Sequence, residues 1–204
     1  MSKISINKQI IFNEVISMYT NSMKNTSNIY ENAENGGGKV RQTNGDLVEN
    51  IFRKIVKIVA EQLNVEVRIT GKKEDSVRIF SKNGYIDASV DVHILSKTKN
   101  IFAECKTYLD KCYLDRASSD LEHFKSSNNR NLCIVVSLEN AVSKTAESYF
   151  LDKGYIDKIF YLVDGKRSSA KPIWKKEHFK RINLSVLDEL IDIVIDSLVE
   201  KEQN

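Results

Sequence analysis

With 204 residues, 41% of them apolar and 29% charged, the chain has the make-up of one soluble globular domain with a real core, and no composition shift suggests a second. A net charge of +3 is too mild to mark a nucleic-acid binder by itself, and no apolar run is long enough to cross a membrane. Residues 1–19 mix Asn, Lys and Glu among their apolar positions, unlike a secretory signal, and Cys105, Cys112 and Cys133 are odd in number without zinc-type spacing, so a reduced, cytoplasmic protein is expected.

In chain order, Ile10, Ile11, Val15 and Met18 recur at helical spacing and predict an opening helix over residues 4–18. Residues 21–44 are rich in Asn, Ser and Gly and read as a long flexible arm carrying Lys39 and Arg41. Gly36, Gly37 and Gly38 before Lys39 do not make a phosphate loop, because Val40 follows and no strand precedes. From Asp46 the stripe Leu47, Val48, Ile51, Phe52, Ile55, Val59 and Leu63 predicts a strong helix with Asn44 or Asp46 as its cap. Glu49 lies on the flank of that stripe, either as a helix-start carboxylate favoured by the dipole or as an acid turned toward a metal group.

β-branched and aromatic residues then predict strands over 65–70, 76–80, 85–95 and 101–108, a meander whose Asn83 and Gly84 signal a hairpin. A helix is expected over 115–126, a strand buried on both faces over 132–138, a helix over 141–153 stopped by Gly154, and a strand over 156–163. Strand, helix, strand in that order implies a parallel pair with a crossover. Leu187, Leu190, Ile191, Val194 and Leu198 predict a last helix after Ser185, with Asp188 completing a partial capping box. The whole is an α/β fold built on a mixed sheet flanked by helices.

The chemistry concentrates between residues 89 and 106. Glu104 and Lys106 are two apart on one strand and so share a face, and Asp91 opens the strand before it. Two carboxylates and an amine gathered at one edge mean either a divalent cation or a charged, solvated edge strand. Ile101, Phe102 and Ala103 beside them speak against an edge. Asp87 competes for the first acid position, being four residues from Asp91 on the same expected strand. Spacing alone leaves both Asp87 and Asp91 open as the first acid.

Asp91-Val-His-Ile-Leu, a turn, and Ile-Phe-Ala-Glu104-Cys-Lys106 together resemble the motif of the PD-(D/E)xK nucleases, and in size and element order the chain is similar to type II restriction endonucleases. Val90 stands where that family often has proline, while Val92 and Ile94 after Asp91 match its acid-apolar-x-apolar pattern, so the resemblance prefers Asp91 and leaves Asp87 as a supporting acid. The resemblance implies a restriction-endonuclease-like core and Mg²⁺-dependent cleavage of both strands of a short duplex DNA site, leaving 5′ phosphates. Asp91 and Glu104 would be the metal carboxylates, the carbonyl of Cys105 a further oxygen ligand, and Lys106 the residue that orients the attacking water. Glu49 resembles the extra acid that many members carry on the preceding helix. A homodimer is implied because a twofold protein reads a palindrome. The same core serves repair nucleases and junction resolvases, and a non-catalytic DNA-binding module of this fold is the remaining alternative.

Candidate phosphate contacts are Tyr113, Arg116, Lys125 and Arg130 around the helix after the second acid, and the cluster Lys166, Arg167, Lys171, Lys175, Lys176, Lys180 and Arg181. Taken alone, that cluster reads more readily as a solvated loop that keeps the protein soluble. His93, His123 and His178 are too scattered for a zinc set and are read as surface or packing residues, and Cys105 and Cys112 as small buried hydrophobes.

Overall fold

The computed structural model describes residues 6–30, 37–71, 77–81, 84–173 and 175–199, and leaves the side chains at 37–39, 41, 77–81 and 84–87 outside the description. Helices α1 (Lys8–Tyr30) and α2 (Gly37–Leu63) pack against each other. Residues 21–30 and 37–44, expected as a flexible arm, are therefore helical, while 31–36 lie outside the described residues. Asn and Ser are poor helix formers alone, but Tyr19, Met23, Thr26 and Ser27 recur every three or four residues and are all buried. Burial along one face outweighs weak propensity. Glu49 consequently sits about three turns inside α2 rather than at its start, which removes the dipole as the reason for an acid there.

The expected meander divides into two sheets. Strands β1 (Arg68–Thr70), β4 (Val92–Leu95), β5 (Ile101–Leu109), β6 (Leu132–Asn140) and β7 (Lys158–Tyr161) form a five-stranded sheet in that order. Strands β2 (Val77–Ser81) and β3 (Gly84–Ala88) pair only with each other. The single strand expected over 85–95 is interrupted at 89–91, where the buried His93 accepts the Val90 N–H through Nε2 at 3.3 Å and turns the chain. β1 then takes the free side of β4, with Ile69 opposite Ile94.

β4 runs antiparallel to β5, whereas β5, β6 and β7 are mutually parallel. The parallel strands are joined by α3 (Lys111–Ser127) and α4 (Lys144–Asp152), as the strand–helix–strand pattern requires. β6 is buried along nearly its whole length, as its unbroken apolar run predicted. α3 starts four residues before the expected point because Asp110, directly after β5, caps it by accepting the Tyr113 N–H at 2.9 Å. α4 is capped by Ser143 and followed by Gly154 at φ +77°, a left-handed conformation that glycine adopts without strain. α5 (Leu184–Leu198) is capped by Asn183, not by Ser185.

Two cores flank the sheet. On one face α1, α2 and α5 pack over Val92, Ile94, Ile101, Ala103 and Cys105. On the other, α3 and α4 cover Phe102, Cys133 and Val135. Among the described residues no helix is long and apolar enough to cross a membrane.

Candidate active site

The register of the main sheet sets the positions of the acids. Val92 lies opposite Ala103, so Asp91, one residue before β4, falls opposite Glu104. Glu104, Lys106 and Tyr108 alternate onto the α3 face of β5, the face on which Phe102 stacks against Phe124 with ring centroids 4.4 Å apart. Cys105 points the other way, into the core beneath α2.

The three side chains meet. Lys106 Nζ donates to Asp91 Oδ2 at 3.2 Å and to Glu104 Oε2. Asp91 Oδ2 also accepts the Cys105 N–H at 2.8 Å. The Glu104 side chain has no exposed surface, and those of Lys106 and Asp91 keep 16% and 17%. Burial alone would lower the pKa of the ammonium, but the carboxylates of Glu104 and Asp91 outweigh it and hold Lys106 above the usual lysine range. Burial, followed by the same two acids, pushes the Cys105 thiol well above its ordinary value, so it stays protonated and unreactive. A cavity of about 250 Å³ opens beside Lys106, with Gln42, Gly45, Cys105, Tyr108 and Tyr113 among its walls. The larger hollows, at the C-terminal end of α2 and between α3 and α4, lie away from the acids.

The donors at this point suit a hard divalent cation. Asp91 and Glu104 supply carboxylate oxygens, and the carbonyl of Cys105 projects to the same side of β5 as the N–H that meets Asp91. Among the described residues no group of three or more His, Cys, Asp or Glu could hold a metal. A cation here would therefore rely on the acid pair, main-chain oxygen, water and substrate, a donor set that Mg²⁺ commonly accepts.

The other expected residues fall in several places. Glu49 is joined to Asp91 through Arg53. It accepts from Arg53 Nε at 3.0 Å, and Arg53 Nη2 reaches the Asp91 carbonyl at 3.3 Å. Asp87 does not share a strand with Asp91, since it lies on β3 opposite Arg78 in the smaller sheet and its side chain is outside the described residues. Lys39 and Arg41 lie on α2 with side chains likewise outside the description.

Lys125 is engaged in holding the fold together, donating to both Asp157 carboxylate oxygens at 2.6 and 2.8 Å and to the Asn131 carbonyl at 2.8 Å. It and the exposed Arg130 stand at the N-terminal end of the parallel strands, about 16 Å along β5 from Lys106. Arg116 is exposed on α3, 3.9 Å from Asp120. Lys166 and Arg167 stand at the opposite, C-terminal end of the strands, where Lys166 bridges to Asn140. The Arg167 guanidinium lies 3.8 Å over the ring of Tyr108, roughly 7 Å along the strand from Lys106.

His93 is a packing residue, edge-on to Phe102 and Phe124 at 5.4 and 5.3 Å. Cys105 is buried as expected, whereas Cys112, in the first turn of α3, is exposed. Sequence reading missed both Arg53 and Gly71. The usable signal was the Glu49 and Arg53 pair at four-residue helical spacing.

No protein-family model matches the chain. The chain is 25% identical over 203 residues to the type II restriction enzyme DdeI of Desulfomicrobium norvegicum, an alignment covering 80% of this chain and 84% of that enzyme. Among solved structures, the native BbvCI A2B2 tetramer matches 92% of this chain and 90% of its own at 12% identity and a TM-score of 0.39. The protein of unknown function AF1548 matches 71% and 78% at 15% identity and a TM-score of 0.35.

Proposed function

We propose that this chain, distantly similar in sequence to a type II restriction enzyme, is itself a site-specific endonuclease that hydrolyses phosphodiester bonds in both strands of a short duplex DNA sequence with Mg²⁺ as cofactor. The observation that carries the reading is the convergence of Asp91, Glu104 and Lys106. A buried acid, a second acid from the neighbouring chain segment and a lysine meet through one shared ammonium. Such grouping of charge in a largely water-excluded place is costly for a fold and useful for phosphoryl chemistry.

Asp91, Glu104 and the Cys105 carbonyl would hold the cation, which when bound supplies Lewis-acid charge at the phosphate and lowers the pKa of a bound water. Lys106 stands on the same strand face with its charge in place, so it orients the attacking water and stabilises the negative charge that develops on the phosphorane oxygens. The leaving 3′ oxygen takes a proton from water, giving 5′-phosphate ends. Arg167, held over Tyr108, and Lys166 beside it offer cations at the C-terminal end of the strands for phosphates flanking the cut. A homodimer would present two such sites to a palindrome.

Incubation of plasmid DNA with the purified chain in Mg²⁺ tests this. Discrete fragments of fixed ends are expected, with Asp91→Ala uncut but still retained on the same DNA in Ca²⁺. Nicking confined to branched or mismatched DNA would instead point to repair. Failure to cut any duplex in either Mg²⁺ or Mn²⁺ would remove the enzymatic reading.

A further inference from the structure

Asp91 is held by its main chain as well as by its side chain. Arg53 reaches from α2 and donates through Nη2 to the Asp91 carbonyl at 3.3 Å. The same guanidinium is gripped from behind by Glu49, one turn earlier on the helix, at 3.0 Å. Arg53 is only 21% exposed, so it is laid against the protein and not extended into water. The residue just after β1 completes the arrangement. Gly71 is buried, and a Cβ built there would lie 2.3 Å from Arg53 Nη2 and 2.7 Å from the Asp91 carbonyl oxygen. Any side chain at 71 would have to displace the guanidinium, the Asp91 main chain, or both.

We infer that Arg53 is a positioning residue for the first acid. Glu49 aims the guanidinium, Gly71 leaves it room, and the bond to the Asp91 carbonyl fixes the chain at the break between β3 and β4. The Asp91 carboxylate is thereby presented to Glu104, Lys106 and the Cys105 N–H. This role rests on the proposed reading of Asp91 as a metal-holding acid. It also gives Glu49 a role through Arg53, whose guanidinium it aims.

The test uses the full chain as wild type, Arg53→Ala, Arg53→Lys, Gly71→Ala and Asp91→Ala. One measurement is calorimetric titration of the DNA-free protein with Mn²⁺. The other is amide hydrogen exchange at Cys105, the donor to Asp91 Oδ2, compared with amides of β6 in the same sample. Residues that orient metal ligands typically change affinity by 10- to 100-fold. Arg53→Ala and Gly71→Ala should therefore weaken Mn²⁺ binding at least about tenfold and speed exchange at Cys105 relative to β6. Arg53→Lys should recover part of both, because an ammonium can still donate to the carbonyl.

A general loss of packing would raise exchange at Cys105 and β6 together, and that result overturns the proposal. So does wild-type Mn²⁺ affinity with unchanged Cys105 exchange in both Arg53→Ala and Gly71→Ala. In a filter-binding assay on the same variants without metal, weakened DNA binding with Mn²⁺ affinity intact would make Arg53 a phosphate contact instead and overturn the proposal. If Asp91→Ala binds Mn²⁺ as wild type does, the metal reading of Asp91 fails, and exchange at Cys105 still decides what Arg53 does.

Discussion

Replacing Lys106 by Met keeps most of the side chain's apolar bulk while removing its charge from a site where the Glu104 side chain is fully buried and the Asp91 side chain is only 17% exposed. The substitution leaves two facing carboxylates without the ammonium that bridges them. Removing one partner of a buried ion pair typically costs about 3–5 kcal/mol, because the remaining charge is left uncompensated in low dielectric. For a chain of this size each kcal/mol corresponds to roughly 2–4 °C of melting temperature, so Lys106→Met should melt about 6–20 °C below wild type in EDTA. Millimolar Ca²⁺ should recover much of that loss and stabilise the variant more than the wild type, since a cation can then take the place of the ammonium. Differential scanning fluorimetry with and without Ca²⁺ measures both. A drop under about 2 °C, or Ca²⁺ shifts equal in the two proteins, would refute the reasoning that the acids depend on Lys106 for charge balance.

Lys125→Met should destabilise the chain by about 3 kcal/mol in urea titration while leaving the salt dependence of DNA binding unchanged, because its ammonium is consumed by Asp157 and the Asn131 carbonyl. Arg167→Ala should do the reverse, reducing the slope of DNA affinity against salt concentration by about one with little change in melting temperature. The Cys133 thiol is raised from 9.0 to about 12, first by burial and then by the Asp157 charge. The unfolded chain therefore loses that proton while the folded chain keeps it, so stability is fully present below pH 9 and declines as pH rises toward 12. Cys133→Ala should show a shallower decline over about pH 9–11 in urea titrations than wild type. At neutral pH a thiol reagent should label Cys112 rapidly and Cys105 and Cys133 only on unfolding.

The sequence was most legible where burial leaves a strong period. The continuous apolar run of β6, the alternation of β5 and the stripe of α5 all became the expected elements. It was least legible where tertiary contact decides. The Asn-rich segment 21–30 is helical because its helix buries Met23, Thr26 and Ser27, which propensity alone does not reveal. Asp87 and Asp91 were expected on one strand, and only the turn at Val90 and His93 separates Asp87, on β3, from Asp91, just before β4. Asp91, Glu104 and Lys106 were readable because a two-residue period fixes the face of the second pair. Arg53 was not, since a donor to a main-chain carbonyl 38 residues away leaves no mark in local spacing.

β4 is four residues long and β5 nine, and their pairing stops with Val92 opposite Ala103. Two residues further along β5 the Cys105 N–H is met not by another strand but by the Asp91 side chain. The acid thus completes a ladder as well as offering a charge, and the two duties separate on amidation: in Asp91→Asn the amide oxygen can still accept that N–H. Loss of chemistry at this position need not entail loss of shape. On the proposed reading, a lineage that had undergone Asp91→Asn could retain the strand edge and the candidate DNA-binding surface while losing cleavage, and a comparison of such chains would distinguish selection on binding from selection on cleavage.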